Sequence, residues 1–301
     1  MKLRIGKRDM EVSGKYLQND LRSSNDLIDD PEALRQRMAD DGYLLIRGLH
    51  ERESVLAARQ ELLEKMAERG LLHPDTPLMD GQINPQADVT ATTSVAATQY
   101  LADLPGFRRV VESPRVMGFF ERYLGGPVVT YQHKWLRAAP TGASSPIHGD
   151  AVYMGRGTKQ LHTCWTPLGD VPLQMGPIVL FLGSHQLEQV RRNYGGMDVD
   201  RDLFEGVFSD DPVDVVDKFG GVWATTDFQA GDALIFGIYV LHASLTNQTN
   251  RYRISVDTRY QLASEPVDER WAGSSPLGHY AFKQPGVVLE PLAISRARWG
   301  L

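Results

Sequence analysis

A single cysteine, Cys164, is all the thiol chemistry that the 301-residue chain contains. That excludes an intrachain disulfide and any zinc site built on several thiolates. No apolar run approaches the roughly 20 residues needed to cross a bilayer. The charged start, Met1 to Arg8, is not followed by the apolar stretch of a secretory leader. Long blocks of lysine and arginine are missing too. With 32 basic against 38 acidic residues the formal charge is -6, which gives no electrostatic footprint for duplex nucleic acid. Repeats and low-complexity segments do not occur. What remains is the composition of an ordinary globular protein, expected to stay in a reducing cytoplasm with neither nucleic acid nor membrane as partner; oligomeric state is left open.

The first third of the chain reads as helical scaffold. Asp30-Pro31-Glu32 places an N-cap acid before a proline at the first helical position, predicting a helix that stops at Gly42, followed by an apolar strand over residues 43–46. A second helix is predicted over about residues 54–70, with Leu56, Leu62, Leu63 and Met66 near one face. Two shorter helices fit residues 105–112 and 114–124, the latter ended by Gly125-Gly126-Pro127. Residues 1–28 show no clear period and are left unassigned, as an arm or a short hairpin.

From Val128 the texture changes to short β-rich runs, at 128–137, 161–168, 178–182, 233–239 and 251–262, separated by Gly, Pro and Asn. Such spacing predicts a sandwich or jelly-roll barrel. In the last run Arg251, Arg253, Ser255, Asp257 and Arg259 share one face, and Tyr252, Ile254, Val256, Thr258 and Tyr260 the other. If the apolar face packs on helices, the polar face lines the barrel interior. The Asp-rich stretch 184–231 reads as an insertion over the barrel mouth. It is expected to be mobile, hinged at Gly195-Gly196 and Gly220-Gly221, and to cover the mouth with Phe204, Phe208, Val215 and Phe219. The chain is expected to be one domain: a scaffold to residue 127, a jelly-roll core over 128–262 and an extension over 263–301.

The chemistry points to His148-Gly149-Asp150. On an extended strand both side chains would project from one face, because strand side chains alternate with a period of two. His242, ninety-four residues after His148, would complete a two-histidine, one-carboxylate face on a metal, an arrangement associated with non-haem Fe(II) oxygenases. Arg253, eleven residues further on, offers a planar fork for a carboxylate. His133, His162 and His185 lack partners at ligand spacing. Gln132, Arg137, Tyr153, Arg156 and Arg259 are the substrate-contact candidates nearest the motif.

Several segments, taken in order, resemble the phytanoyl-CoA dioxygenase family: Asp41 to Gly48, Ile147 to Asp150, Thr163 to Leu168, Gly176-Pro177 to His185, Gly231 to Phe236, His242 to Asn247, and Arg253. The resemblance implies a double-stranded β-helix with flanking helices, and a hydroxylase using Fe(II), 2-oxoglutarate and O2. It further implies His148, Asp150 and His242 as iron ligands, Arg253 with Ser244 on the distal carboxylate of 2-oxoglutarate, and Trp165 and Lys134 lining the co-substrate pocket. Pro177 stands where relatives often carry a more polar turn, which bears on loop shape alone. The substrate is expected to be a small organic molecule with an unactivated C–H bond. The same site could instead serve desaturation, epimerisation or cyclisation. A halogenase is disfavoured because Asp150 occupies the place a halide would need; a cupin-like zinc or manganese enzyme would not need Arg253; and a catalytically silent jelly-roll module would not need the whole set.

Overall fold

The computed structural model describes residues 1–89, 95–281 and 284–301. The chain opens with a hairpin of β1 (Lys2–Ile5) and β2 (Arg8–Glu11), then a short strand β3 (Leu17–Asn19). Helix α1 (Pro31–Asp41) is capped by the Asp30 carboxylate, which accepts from the Ala33 N–H, and ends at Gly42 in the left-handed region. A cap of this kind contributes about 1 kcal/mol. Strand β4 (Tyr43–Ile46) is buried throughout. Helices α2 (Arg52–Glu68), α3 (Val95–Ala102), α4 (Pro105–Val111) and α5 (Pro114–Leu124) complete the scaffold.

The second half contributes β5 (Val128–Thr130), β6 (Trp135–Ala139), the single turn α6 (Ala151–Met154), β7 (His162–Pro167) and β8 (Ile178–Phe181). Helices α7 (Glu188–Arg192), α8 (Val199–Asp202) and α9 (Pro212–Phe219) follow. Strands β9 (Trp223–Thr225), β10 (Ala233–Gly237), β11 (His242–Ser244) and β12 (Arg253–Leu262) precede a final helix α10 (Leu292–Trp299).

Two sheets face one another. The larger runs β4-β10-β7-β12-β5, with β6 also paired to β12; the smaller runs β11-β8-β9-β3. Strand alternation decides what each face does. On the outer face of the larger sheet, Leu136, Ile254 and Val256 pack with Leu62, Leu63 and Phe107, while Ile235 and Tyr260 pack with Phe119 and Phe120. Its inner face sends Leu45, Trp165, Leu234 and Phe236 against Ile178, Leu180 and Ala224 of the smaller sheet. The apolar face of β12 therefore meets helices, and its polar face lines the barrel. This is the double-stranded β-helix.

Two expectations need correction. The predicted strand 128–137 is broken around Tyr131 to Lys134, because Lys134 turns back to bond Thr130 Oγ1 and the Tyr131 carbonyl, and the Gln132 carbonyl is taken by Arg108. The two pieces, β5 and β6, pair with different stretches of β12. Nor does residues 184–231 lie over the mouth as a loop. Strand β9 pairs with β8 and β3, Ser209 bridges Ile147, and Phe204, Phe208 and Val215 are buried in the core behind the smaller sheet. So much apolar surface gains more from permanent burial than a swinging cover allows.

Both ends of the chain join that core. Lys7 and Arg8 reach Asp210 and Asp211, Arg296 reaches Asp210 and Asp214, and the Trp299 ring stacks on Phe208 with centroids 5.3 Å apart.

Candidate active site

His148 and His242 are direct neighbours across an isolated bridge: each backbone N–H donates to the other's carbonyl, at 2.9 and 2.8 Å. Their rings lie 4.2 Å apart. The Nδ1 of His148 is 2.8 Å from the Pro146 carbonyl and that of His242 is 3.0 Å from the Val240 carbonyl. A proton held there on Nδ1 leaves the Nε2 lone pair of each ring free for a metal.

Asp150 arrives differently from the expected extended strand. Its backbone is helical (φ -66°, ψ -20°), and it opens α6. The Gly149 N–H donates to the Tyr194 hydroxyl, and a Cβ at Gly149 would sit 3.3 Å from that ring. The helical backbone at Asp150, not strand alternation, thus brings the carboxylate to the histidines. Donor atoms of His148, Asp150 and His242 all lie within 4.8 Å of one another, a group able to hold one metal ion. Burial, followed by the neighbouring His242, disfavours the imidazolium form of His148 and lowers its pKa. Burial opposes ionisation of Asp150, but Arg259, the two histidines and the Thr163 hydroxyl outweigh it and hold the carboxyl well below its usual range.

Arg259 is corrected from substrate contact to partner of Asp150. Its Nη2 lies 3.1 Å from Asp150 Oδ2, both side chains are buried, and the guanidinium sits over the Trp135 ring at 4.6 Å. Thr163 donates its hydroxyl to the same oxygen. The β7/β12 register sets Thr163 opposite Arg259.

Arg253 lies two positions before Ser255 on the same inner face, and its Nη1 donates to Ser255 Oγ at 2.6 Å. Its Nε is buried with no partner among the described residues. Burial, then repulsion from Arg137, pulls its pKa down to about 10 in spite of Asp257. An orphaned, buried guanidinium N–H is the vacancy that a bound carboxylate would fill. Ser244 shares the face of His242, and its hydroxyl accepts from the Ser145 N–H at 2.7 Å. Trp165 lies on the inner face, edge-on to Phe228. Arg137 is 3.4 Å from Asp257 with its side chain 37% exposed, and is the open cation of the barrel.

Lys134 and Gln132 leave the site. Lys134 is buried on the scaffold side in a 3.0 Å ion pair with Glu112, and burial lowers its pKa to about 8 although Glu112 opposes the shift. Gln132 is exposed, beside Arg108.

The other wall was not anticipated. Tyr153, whose ring is 5.7 Å from that of His148, meets His279, and Trp271 packs between His279 and Trp135. This segment is clasped down by Arg270, which is fully buried and binds Asp268 at 2.7 Å, Asp200 at 2.9 Å and Asp198 at 3.2 Å. Asp200 also accepts from His279 Nδ1 and from the N–H groups of Tyr280 and Ala281. Arg156, expected near substrate, instead binds Asp198 and Glu269. The only sequence signal here was the count of acids in 198–214, which reads equally well as a solvated surface.

Comparison with known proteins agrees with this architecture. Residues 38–255 match the phytanoyl-CoA dioxygenase (PhyH) family, and the chain belongs to it. Among characterised relatives, the 1-deoxypentalenic acid 11-beta-hydroxylase of Streptomyces exfoliatus is 28% identical over 258 residues, covering 79% of this chain and 83% of that protein. Its counterpart from Streptomyces arenae is 27% identical over 252 residues, with the same coverage. Among solved structures, the apo form of EctD from S. alaskensis superposes with a TM-score of 0.54 at 17% identity, covering 96% of this chain and 95% of that one. The epimerase SnoN from nogalamycin biosynthesis gives 0.53 at 18%, covering 87% and 93%. These two likenesses show the fold. The protein is a non-haem dioxygenase dependent on Fe(II), 2-oxoglutarate and O2, acting on a small molecule. Among the described residues no helix is long and apolar enough to cross a membrane.

Proposed function

We propose that the protein hydroxylates an unactivated C–H bond of an apolar small molecule that carries one carboxylate. His148, Asp150 and His242 hold the iron, and Arg253, assisted by Ser244 and flanked by Trp165, holds the distal carboxylate of 2-oxoglutarate. The observation that carries this reading is the pairing of the His-Asp-His donor set with an orphaned guanidinium N–H on the next strand. Bound iron with 2-oxoglutarate and O2 supplies the oxidant, through decarboxylation to succinate, that replaces hydrogen by hydroxyl. The residues fix the rest: the Nδ1 contacts orient both imidazoles, the aromatic wall excludes water, and the barrel interior sets the charge.

The charge argues for an acidic substrate. Three guanidinium groups, of Arg137, Arg253 and Arg259, face two carboxylates, of Asp150 and Asp257. A divalent ion and doubly charged 2-oxoglutarate cancel, so one positive charge is left over on the barrel wall. Arg137 is its open bearer, and Tyr153 offers apolar surface beside it. The relatives named above, as their name says, hydroxylate an acid. A cytoplasmic setting is part of the same proposal.

The test is succinate formation with paired probes, apolar carboxylic acids and their methyl esters. The acid is expected to stimulate turnover more than its ester, and Arg137→Leu to abolish the difference without raising the KM for 2-oxoglutarate. Equal stimulation by acid and ester would refute the charged substrate. Analysis of the product separates hydroxylation from epimerisation or ring closure.

A further inference from the structure

The carboxylate of Asp150 has two oxygens, and only one of them is free. Oδ2 is 3.1 Å from Arg259 Nη2 and accepts the Thr163 hydroxyl. Neither partner can easily let go. Arg259 is buried, lies against the Trp135 ring on one side and has its Nε 3.0 Å from the Met154 sulfur. Thr163 is fully buried at the second position of β7, where the β7/β12 register fixes it opposite Arg259. Two donors on opposing strands therefore pin one oxygen by the geometry of the ladder itself, and a planar guanidinium gives that grip direction as well as charge.

Resting on the assignment of Asp150 as an iron ligand, we propose that Arg259 and Thr163 are positioning residues that limit Asp150 to one-oxygen ligation. The consequence is selective. A carboxylate free to pivot can grip a metal with both oxygens, and the second oxygen would occupy a position that 2-oxoglutarate needs. Arg259 and Thr163 thus protect co-substrate binding, not metal binding. Their loss should weaken the first while leaving the second equal or stronger, since a cation near the metal has also gone. Loss of packing alone would lower both together.

The protein is titrated anaerobically with Co(II) as a coloured probe of the metal site and then with 2-oxoglutarate, comparing wild type with Arg259→Leu, Thr163→Val and Thr163→Ser. Arg259→Leu and Thr163→Val are expected to bind Co(II) at least as tightly as wild type, with an altered visible spectrum. Their 2-oxoglutarate affinity should fall about tenfold, the change that about 1.4 kcal/mol of lost interaction produces. Thr163→Ser keeps the hydroxyl and should behave as wild type. Thr163→Val, nearly isosteric, gives the answer even if Arg259→Leu fails to fold. Unchanged spectra and unchanged 2-oxoglutarate affinity in Thr163→Val would overturn the proposal, as would parallel loss of metal and co-substrate. Failure of the wild type itself to bind Co(II) would instead overturn the assignment of the ligands.

Discussion

The two walls of the site are built by different means. On the barrel side a single strand, β12, aims Arg253, Ser255, Asp257 and Arg259 inward by alternation, and its opposite face is sealed by helices. The clasp side is gathered from residues 153–158, 198–202 and 266–281, far apart in the chain, and is held by a fully buried arginine among three aspartates. The first wall gets its geometry from a local period and its stability from apolar burial. The second is held by charge pairing together with the packing of Trp271 between His279 and Trp135. The family match ends at residue 255, before residues 266–281 of the clasp.

The largest expected effect falls on the barrel side. Asp150→Ala and His242→Ala should each abolish stoichiometric metal binding and lower turnover at least a hundredfold, since even groups that only support a ligand are worth about 10–100-fold. Full metal binding by both variants, measured by calorimetry, would remove the basis for placing chemistry on that wall.

On the clasp side, Arg270→Met leaves Asp200 and Asp268 buried without their arginine, while Asp198 keeps Arg156, a loss of about 3–5 kcal/mol for a broken buried pair. Residues 266–281 should then exchange their amide hydrogens much faster while metal binding stays intact. Acid should do the same more gently. Burial opposes ionisation of Asp198 and Asp200, yet Arg156 and Arg270 outweigh it and hold both carboxyls below their usual range. Carboxyls lowered in this way stabilise the folded clasp above their unfolded pKa of about 3.9, and that stability is lost as pH falls through the folded values. Protection of residues 266–281, measured relative to the intrinsic exchange rate at each pH, that does not fall below about pH 4 would contradict this account of what holds the clasp.

Arg253→Leu should sharpen the division. Affinity for 2-oxoglutarate is expected to fall by about 2–5 kcal/mol, the cost of removing one partner of a buried charged contact, with metal affinity retained. An unchanged KM for 2-oxoglutarate would shift that role to another cation, Arg137 first. The smallest effect is expected at Gln132, which is exposed and off both walls. Gln132→Ala should change stability by less than about 0.5 kcal/mol and leave turnover as it is; a clear loss of activity would mean that the site extends further along the barrel than the structure places it.

This division also accounts for what the sequence made legible. The helix cap at Asp30, the stops at Gly42 and Gly125, and the two faces of β12 were readable because each depends on residues a few positions apart. His148 and His242 were singled out by spacing, although Asp150 joins them from a helical backbone that spacing could not reveal. Lys134, carried over from the resemblance, and Gln132, chosen for its nearness to the motif, lie elsewhere because the strand breaks at Tyr131 and turns Lys134 toward Glu112. Arg270 was invisible for another reason: its meaning depends on aspartates some seventy residues away, and composition alone cannot tell such a pairing from acids in solvent.

The meeting of both chain ends on one stretch has a mechanical side. The opening hairpin and α10 grip Asp210, Asp211 and Asp214, while the Phe208 N–H donates to the Ile147 carbonyl, one residue before His148. Force applied at either end, by a surface tether or a bulky fusion, runs through that stretch to the seat of a metal-binding histidine. Anchoring the enzyme instead at Gly70, exposed beyond α2, would leave that load path slack.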